Sequence, residues 1–166
     1  MFLKTNKIRE MIAEFKNLSE KEINLLMNAP TLITLLIAGA EGNIEEKETD
    51  WGAKITHFRG ENKESILQSY YKEVDSCFNE TLKDLISALP VNVDERTAAI
   101  NSELQKLNDI LPKLSQNFSK ELYKSYVTLA KHIAQASGGI WGYGAISPEE
   151  QKLIDLDIIK SPDNTV

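Results

Sequence analysis

The sequence contains few of the side chains that build reactive or metal centres. Among 166 residues there are one cysteine, Cys77, and two histidines, His57 and His132. A single cysteine excludes an intrachain disulfide and a zinc site of four thiolates. It also favours a reducing compartment, the cytoplasm, over an exported protein. Lys54 and Leu129 stand three positions before the two histidines, so the Glu-x-x-His pairs of a ferritin-like di-metal site are absent.

Long hydrophobic runs are also absent. The most apolar stretch, Ala29 to Ala40, has twelve residues, whereas a membrane-spanning helix needs about 20. Residues 1–7 carry charge but no apolar segment, so no secretory signal peptide is predicted there. We therefore expect a cytoplasmic protein that meets a membrane only through a partner.

Positive charge is in the minority. Lys and Arg number 19 against 25 Asp and Glu, which gives a formal net charge of −6. An acidic surface repels phosphate backbones, and no stretch of the sequence concentrates enough Lys or Arg to reverse this. Nucleic-acid binding is therefore not predicted.

Helical periodicity, by contrast, extends over nearly the whole chain. Apolar residues recur every three or four positions, and no segment alternates as a β-strand does. The predicted fold class is all-α, a compact bundle of about seven helices. We expect one domain over residues 1–160 and a disordered polar tail over residues 161–166.

Capping residues, prolines and glycines place the predicted helix boundaries. Ser19 and Glu22 have capping-box spacing and begin a helix that ends near Met27. Pro30 then begins an almost wholly apolar helix, which we expect at the centre of the bundle. The other predicted helices cover residues 6–15, residues 45–59 with Gly60 as the stop, and residues 63–89. A helix that begins at Asn92 is expected to pack antiparallel on the previous one. An apolar stripe over residues 100–133 is expected to break or kink at Pro112, and a last helix begins at Ser147.

Two parts of the chain resemble each other after a shift of 96 residues, which aligns Leu26 with Leu122. Each copy has an apolar helix with small residues, a glycine turn and a helix that opens with acids. The other aligned pairs are Ile33 with Leu129, Ile37 with Ile133, Ala38 with Ala134, Ala40 with Ala136, Gly42 with Gly138 and, after a six-residue insertion, Ile44 with Ile146. We predict a pseudo-two-fold relation between the copies, although packing and capping alone also explain every shared residue.

The first copy resembles the signature of TerB-like domains, an all-helical superfamily named for a tellurite-resistance protein. The resemblance lies in Ile37–Ala38–Gly39–Ala40–Glu41–Gly42–Asn43–Ile44–Glu45–Glu46–Lys47–Glu48 and again in residues 134–138 with 146–150. Glu41 stands where the family usually has aspartate, and Ser137 stands there in the second copy. The resemblance implies a helical bundle without established enzymatic activity, a role in stress-related or membrane-linked assemblies, and acidic residues suspected of binding a metal ion.

The acidic turns supply the candidate metal ligands. Glu41, Glu48 and Glu150 offer carboxylates that suit a hard divalent cation, Ca²⁺ or Mg²⁺. Glu48 and Glu150 are equivalent in the repeat, so one site would use both. The twelve-residue ligand pattern of an EF-hand is absent, and helix capping is the alternative role for the same glutamates.

A glycine-rich loop over residues 138–144 supplies the candidate partner-binding residues, Trp141 and Tyr143. The loop follows a helix and lacks the Lys–Ser/Thr pair of a phosphate-binding loop. Its aromatic side chains either fold back onto the core, anchor a partner protein, or line a small-ligand pocket between helices. The other tryptophan, Trp51, is expected to be buried by its own helix.

The predicted function is a non-catalytic, stress-associated or scaffold module that binds a partner protein, with or without a divalent cation. The alternative is a metal-dependent module with Glu41, Glu48 and Glu150 as its functional site. No catalytic residue is predicted. Cys77 lies on the apolar stripe of a helix, and the Ser-x-x-Lys match at residues 69–72 lacks the motifs that accompany it in enzymes.

Overall fold

The computed structural model describes residues 2–40, 42–44, 46–137 and 148–162 of the chain. Over these residues the chain forms helices and no β-strand. The α-helices are α1 (Phe2–Met11), α2 (Glu20–Ala38), α3 (Glu46–Glu61), α4 (Gln68–Ala88), α5 (Val93–Gln105), the single-turn α6 (Leu107–Ile110), α7 (Gln116–Ser137) and α8 (Pro148–Asp155), with 3₁₀ turns at Ala13–Phe15 and Leu111–Lys113. Seven of these α-helices have eight residues or more, so the predicted all-α bundle of about seven helices is confirmed for this part of the chain. None of them is long and apolar enough to cross a membrane.

α2 lies at the centre of the bundle, as its apolar composition predicts. Thirteen of its 19 residues are buried, and it packs against α3, α4, α5 and α7. Its predicted capping box is present. The Ser19 hydroxyl accepts from the Glu22 backbone N–H, and the Glu22 carboxylate accepts from the Ser19 N–H at 2.7 Å.

The prediction of two helices that meet at Pro30 is wrong, because α2 runs through this proline without a break. Proline has no N–H, so the Leu26 carbonyl, four residues earlier, loses its helical donor. The Tyr70 hydroxyl of α4 donates to that carbonyl at 2.6 Å and lies 2.9 Å from the Tyr126 hydroxyl of α7. Tyr70 has only one proton to give, so Tyr126 is the donor to Tyr70. A hydrogen-bonded chain of two tyrosines therefore replaces the missing bond.

Two glycines let α3 pack closely against its neighbours. A Cβ atom on Gly52 would lie 2.5 Å from the side chain of Thr34 in α2. One on Gly60 would lie 3.1 Å from the backbone of Lys72 in α4. Gly60 is buried inside α3, so the prediction that it stops this helix is wrong; α3 ends at Glu61. Residue 60 needs to be glycine because α3 and α4 pack closely there. From the sequence alone, a glycine that permits close packing cannot be distinguished from a glycine that ends a helix.

α5 packs on α2 and not, as predicted, antiparallel along α4. The second half of α4, residues 79–88, contains no fully buried residue, and its apolar residues Leu82 and Leu85 are only partly buried, so α5 does not cover them. The buried residues of α5 are Arg96, Ile100 and Leu104. Its predicted cap is present, with the Asn92 side chain accepting from the Glu95 N–H at 3.0 Å.

Pro112 separates helices, which confirms the predicted break. α6 and the 3₁₀ turn that contains Pro112 lie between α5 and α7. The apolar stripe stays buried on both sides of the break, at Ile100, Leu104, Leu107, Ile110, Leu111, Leu114, Phe118, Leu122, Leu129 and Ile133. The stripe predicted the shared core, and the proline predicted where the backbone changes direction.

Three early segments of the chain differ from prediction in extent. α1 begins and ends earlier than the predicted 6–15, and Ala13–Phe15 forms a separate 3₁₀ turn. α4 begins at Gln68 and not at residue 63, since residues 62–67 form turns. Of the predicted tail, Ser161 and Pro162 are half-buried, and residues 163–166 lie outside the described residues.

Four aligned positions of the predicted repeat are buried in both copies: Leu26 and Leu122, Ile33 and Leu129, Ile37 and Ile133, and Ala38 and Ala134. They lie on α2 and α7, which pack against each other. The turn of the second copy, residues 138–147, lies outside the described residues.

The capping box of α2 is reinforced by an ion pair. Lys113, in the second 3₁₀ turn, donates to the Glu22 carboxylate. The hydrogen bond from Lys113 and that from the Ser19 backbone N–H lower the pKa of Glu22 from 4.5 to about 2. A carboxyl whose pKa is depressed on folding adds stability above its unfolded pKa, and this contribution is lost as the pH falls through the folded value.

We predict that Tyr70→Phe lowers the free energy of unfolding by about 2–3 kcal/mol, because the Leu26 carbonyl and the Tyr126 hydroxyl both lose a buried partner. Tyr126→Phe, the matched control, should cost about 1 kcal/mol because the Leu26 carbonyl keeps its donor. Pro30→Ala restores a backbone N–H, so Tyr70→Phe should cost less in that background. Urea denaturation of the four variants measures this, and an equal cost in both backgrounds would contradict the proposed replacement.

We predict that the stability lost in Glu22→Gln depends on pH. The loss should be full above about pH 4.5 and should shrink as the pH falls towards 2, where the wild-type carboxyl is protonated too. Urea denaturation at a series of pH values tests this. Glu103→Gln removes an exposed ion pair with Lys106 and serves as the control, for which little loss is expected at any pH.

Candidate functional site

The predicted acidic ligands are only partly within the described residues. Glu48 lies in the first turn of α3 and is buried, with 5% of its surface exposed. Glu150 lies in the first turn of α8, but its side chain is outside the described set, and so is the whole of Glu41. Among the side chains that are described, no three of His, Cys, Asp and Glu come close enough together to hold a metal ion. The ligand set Glu41, Glu48 and Glu150 stays a prediction.

A buried arginine organises the turn after α2. Arg96 of α5 is 5% exposed. Its Nη2 donates to the carbonyls of Gly39 at 2.9 Å and Gly42 at 2.8 Å, and its Nη1 donates to the Val91 carbonyl at 3.2 Å. The carbonyls at a helix C-terminus carry partial negative charge and lack helical donors, so a guanidinium satisfies both needs.

This arginine changes the electrostatics of the predicted cation site. The Gly39 and Gly42 carbonyl oxygens are hard donors of the kind that Ca²⁺ uses, but they already accept hydrogen bonds from Arg96. A fixed positive charge at the same oxygens opposes a second cation there. Gly42 has a φ of +115°, which glycine adopts readily, so the turn holds its shape through this glycine and Arg96. The sequence around Glu41 does not predict a role for Arg96, which lies 54 residues beyond Gly42.

Among the side chains that the structure describes, the most exposed aromatic residues lie on α3. Lys47, Trp51, Lys54 and Phe58 follow one another at spacings of four, three and four, which places them on one face of the helix. All four are exposed, with Trp51 at 39% and Phe58 at 67%. We call these four residues the α3 stripe. The expectation that its helix would bury Trp51 is wrong, because the buried face of α3 consists of Glu48, Thr49, Gly52, Thr56 and Gly60.

The α3 stripe combines aromatic area with positive charge. The Lys54 ammonium lies 5.5 Å from the centre of the Trp51 ring, within the range of a cation–π contact. Ile55 lies beside the stripe and is packed against the core. Along the helix Lys54 lies between the two aromatic residues, and Lys47 lies one turn before Trp51.

Hydrogen bonds fix α3 to α4 and α7. Arg59 donates to the Tyr71 hydroxyl at 2.8 Å, to the Ser125 carbonyl at 2.7 Å and to the Thr128 hydroxyl at 2.8 Å. Its guanidinium also lies 5.1 Å from the centre of the Tyr71 ring. With the close approaches at Gly52 and Gly60, these contacts make α3 a rigid support for its exposed side chains.

A second link between α3 and α4 is exposed and titratable. His57 Nδ1 lies 2.9 Å from a carboxylate oxygen of Asp75. The hydrogen bond to Asp75, assisted by its charge, raises the pKa of His57 above 6.5. A raised pKa on folding adds stability below the unfolded value, and this is lost as the pH rises through the folded one.

The described residues give no sign of an activated nucleophile. Cys77 is half-buried, and its sulfur lies 3.5 Å from the carbonyls of Glu73 and Val74 in its own helix. Burial raises the pKa of the Tyr70 and Tyr126 hydroxyls well above 10, so both stay protonated as the structural hydrogen bonds require.

The predicted partner-binding residues, Trp141 and Tyr143, lie outside the described residues. The sequence indicates a partner-binding role for Trp141 and Tyr143 because glycines surround them, and it does not indicate one for Trp51. The signal for the α3 stripe was the four-three-four spacing of aromatic and basic residues. That spacing alone does not tell which face of a helix is buried, and the face is decided by the small residues Gly52, Thr56 and Gly60.

We predict that Arg96→Lys lowers the free energy of unfolding by about 3 kcal/mol, because an ammonium cannot reach three carbonyls that the planar guanidinium reaches. Arg9→Lys is the matched control. Arg9 donates to one backbone carbonyl, that of Leu18, at 3.0 Å, and its loss should cost about 1 kcal/mol or less. Chemical denaturation gives both values, and similar costs for the two variants would show that Arg96 does not hold the turn.

A functional assignment for this protein depends on the geometry of its described residues, because comparison with known proteins identifies no relative. No protein-family model, curated protein or solved structure matches this chain. The likeness to TerB-like domains therefore remains a prediction from the residues that carry it.

Proposed function

We propose that this protein is a non-catalytic helical scaffold module that binds an acidic, amphipathic segment of a partner protein on the α3 stripe. The observation that carries the proposal is the exposure of Trp51 and Phe58, which alternate with Lys47 and Lys54 along one face of a rigidly held helix. Large aromatic side chains that are already ordered lose little entropy on binding and dominate interface energies.

The charges of the α3 stripe determine which kind of partner segment would bind it. The chain as a whole carries a net charge of −6, yet the α3 stripe itself contains two lysines, Lys47 and Lys54, and no acidic residue. A segment with apolar side chains at helical spacing and flanking Asp or Glu would cover both rings and pair both ammonium groups. A nucleic acid would offer negative charge as well, but the acidic remainder of the surface would repel its extended backbone.

The TerB-like resemblance agrees with this reading, and we carry its expectations forward as part of the proposal. The resemblance implies a stress-associated role. The internal repeat adds a second expectation, that α2–α3 and α7–α8 are two structural copies related by a pseudo-two-fold axis. The location expected from the single cysteine is the cytoplasm. The burial of four aligned pairs on α2 and α7 supports the second expectation. The partner-binding role of Trp141 and Tyr143 belongs to the same proposal.

A second candidate function rests on Glu48. Glu48 lies in the first turn of α3 with 5% exposure, directly after the acidic turn of the first copy. The candidate is a module that depends on Ca²⁺ or Mg²⁺, with Glu41, Glu48 and Glu150 as ligands. The position of Arg96 at the preceding turn weighs against it, so we place it second.

We predict that an acidic amphipathic peptide binds this protein more tightly than neutral or basic peptides with the same apolar face. Fluorescence anisotropy of labelled peptides at low and at physiological salt measures the affinities. Trp51→Ala with Phe58→Ala should weaken binding by tenfold or more, since each removes an aromatic anchor. Lys47→Glu with Lys54→Glu should reverse the order of preference, so that the basic peptide binds best.

The control for these variants is Ile86→Ala, which removes an exposed apolar side chain of α4 (43% exposed) far along the chain from the stripe. It should leave peptide affinity unchanged. Equal affinity for the three peptides, or equal binding by the stripe variants, would refute the proposal. If EDTA abolishes binding and Glu48→Gln does the same, the cation-dependent candidate replaces it.

A further inference from the structure

A groove lies where the second 3₁₀ turn meets the start of α7. It has a volume of about 440 Å³, within the range of sites that bind small molecules. Apolar side chains of Leu111, Pro112 and Leu114 form one part of its wall. The polar part consists of Asn108, Asp109, Gln116, Ser119 and Lys160.

One polar group in this wall has no partner. Ser119, in the first turn of α7, is 3% exposed, and its hydroxyl makes no hydrogen bond. Its backbone N–H is satisfied by the Ser115 carbonyl at 2.9 Å, so the deficit belongs to the hydroxyl alone. A buried hydroxyl without a partner is unfavourable, and native structures seldom keep one without a reason. A ligand that fills the groove would supply an acceptor.

The charged residues of the groove are also free of ion pairs within the described part of the chain. Lys160 and Asp109 are both exposed and take part in none of the salt bridges found there. One free cation and one free anion in the same wall match a molecule that carries both charges. A simple anion would meet the repulsion of Asp109, and a simple cation that of Lys160.

The groove is held open by fixed hydrogen bonds. The Asn108 side chain donates to the Ile158 carbonyl at 3.0 Å and accepts from the Lys160 N–H at 2.7 Å. These two bonds clamp the segment after α8 against α6. The far side is fixed by Glu14, whose carboxylate accepts from the Ser115 N–H at 2.8 Å and from its hydroxyl at 2.7 Å. The walls are thus set before any ligand arrives, which reduces the entropic cost of binding.

We propose that this groove binds an apolar amino acid as its zwitterion. The ligand carboxylate pairs with Lys160 and accepts a hydrogen bond from Ser119, which turns about its χ1 angle to donate it. The ligand ammonium pairs with Asp109, and the apolar side chain covers Leu111, Pro112 and Leu114. The site is separate from the α3 stripe, and its ligand is independent of the partner proposed there.

The experiment uses the full chain and four probes: L-leucine, L-phenylalanine, and the analogues of leucine that lack either the amine (4-methylpentanoate) or the carboxylate (isopentylamine). Calorimetric titration and amide chemical-shift changes measure binding. We expect the two amino acids to bind and each analogue to bind at least tenfold more weakly, since one charge pair is lost. Shift changes should be confined to residues of the groove.

Ser119→Ala separates a binding role from a structural one. It should weaken leucine binding about tenfold while leaving the melting temperature of the free protein unchanged or higher, because it removes an unpartnered buried group. Lys160→Gln and Asp109→Asn should each weaken binding to a similar degree, and Lys106→Gln, outside the groove, should not.

Three outcomes would overturn the proposal. Binding of the amine-free acid as tightly as leucine would show an anion site, and binding of neither amino acid would show no site for this class. Unchanged leucine binding in Ser119→Ala would show that the hydroxyl is not part of the site. Failure here would leave the peptide experiment on the α3 stripe unaffected.

Discussion

The Leu26 carbonyl is the group around which the bundle is arranged. Pro30 removes its donor within α2, and a buried carbonyl without a partner would destabilise the central helix. Tyr70 supplies the replacement from α4, and Tyr126 on α7 donates in turn to Tyr70. Three helices therefore meet at one chain of polar atoms inside a mainly apolar core. Hydrophobic burial is non-directional and would tolerate several arrangements of these helices, whereas this chain of hydrogen bonds fixes their relative rotation.

A second polar device fixes the end of α2. Arg96 donates hydrogen bonds to the carbonyls of Gly39 and Gly42 in this turn and thereby attaches α5 to α2. The same turn leads into α3, whose glycines let it lie close to α2 and α4. Once the small residues face inward, helical geometry requires Lys47, Trp51, Lys54 and Phe58 to face outward. The exposure of two aromatic rings is thus a consequence of how tightly the opposite face of α3 is packed.

Sequence reasoning predicts the parts of this fold that depend on local chemistry. The capping box at Ser19, the cap at Asn92, the central position of α2 and the break at Pro112 all follow from residues close together in the chain. The prediction fails where a residue far along the chain determines the local structure. Pro30 stays inside a helix because of Tyr70, 40 positions later, and Gly60 is used for packing because the backbone of Lys72 approaches it.

For the site, the glutamates of the acidic turn can be recognised in the sequence, but the Arg96 guanidinium that competes with a cation cannot. The α3 stripe and the Ser119 groove require knowledge of which face is buried and which hydroxyl lacks a partner.

The two proposed sites place different demands on the same framework. A protein partner on the α3 stripe needs rigid side chains that are already exposed, and Arg59 provides this by tying α3 to Tyr71, Ser125 and Thr128. A small ligand in the groove needs enclosed polar groups that the chain itself leaves unused, and Ser119 is such a group. α7 takes part in both, since Ser125 and Thr128 support α3 while Ser119 lies in its first turn. A helix of 22 residues held in its middle by buried tyrosines connects the two regions as one stiff element, so its packing there sets the geometry of both sites.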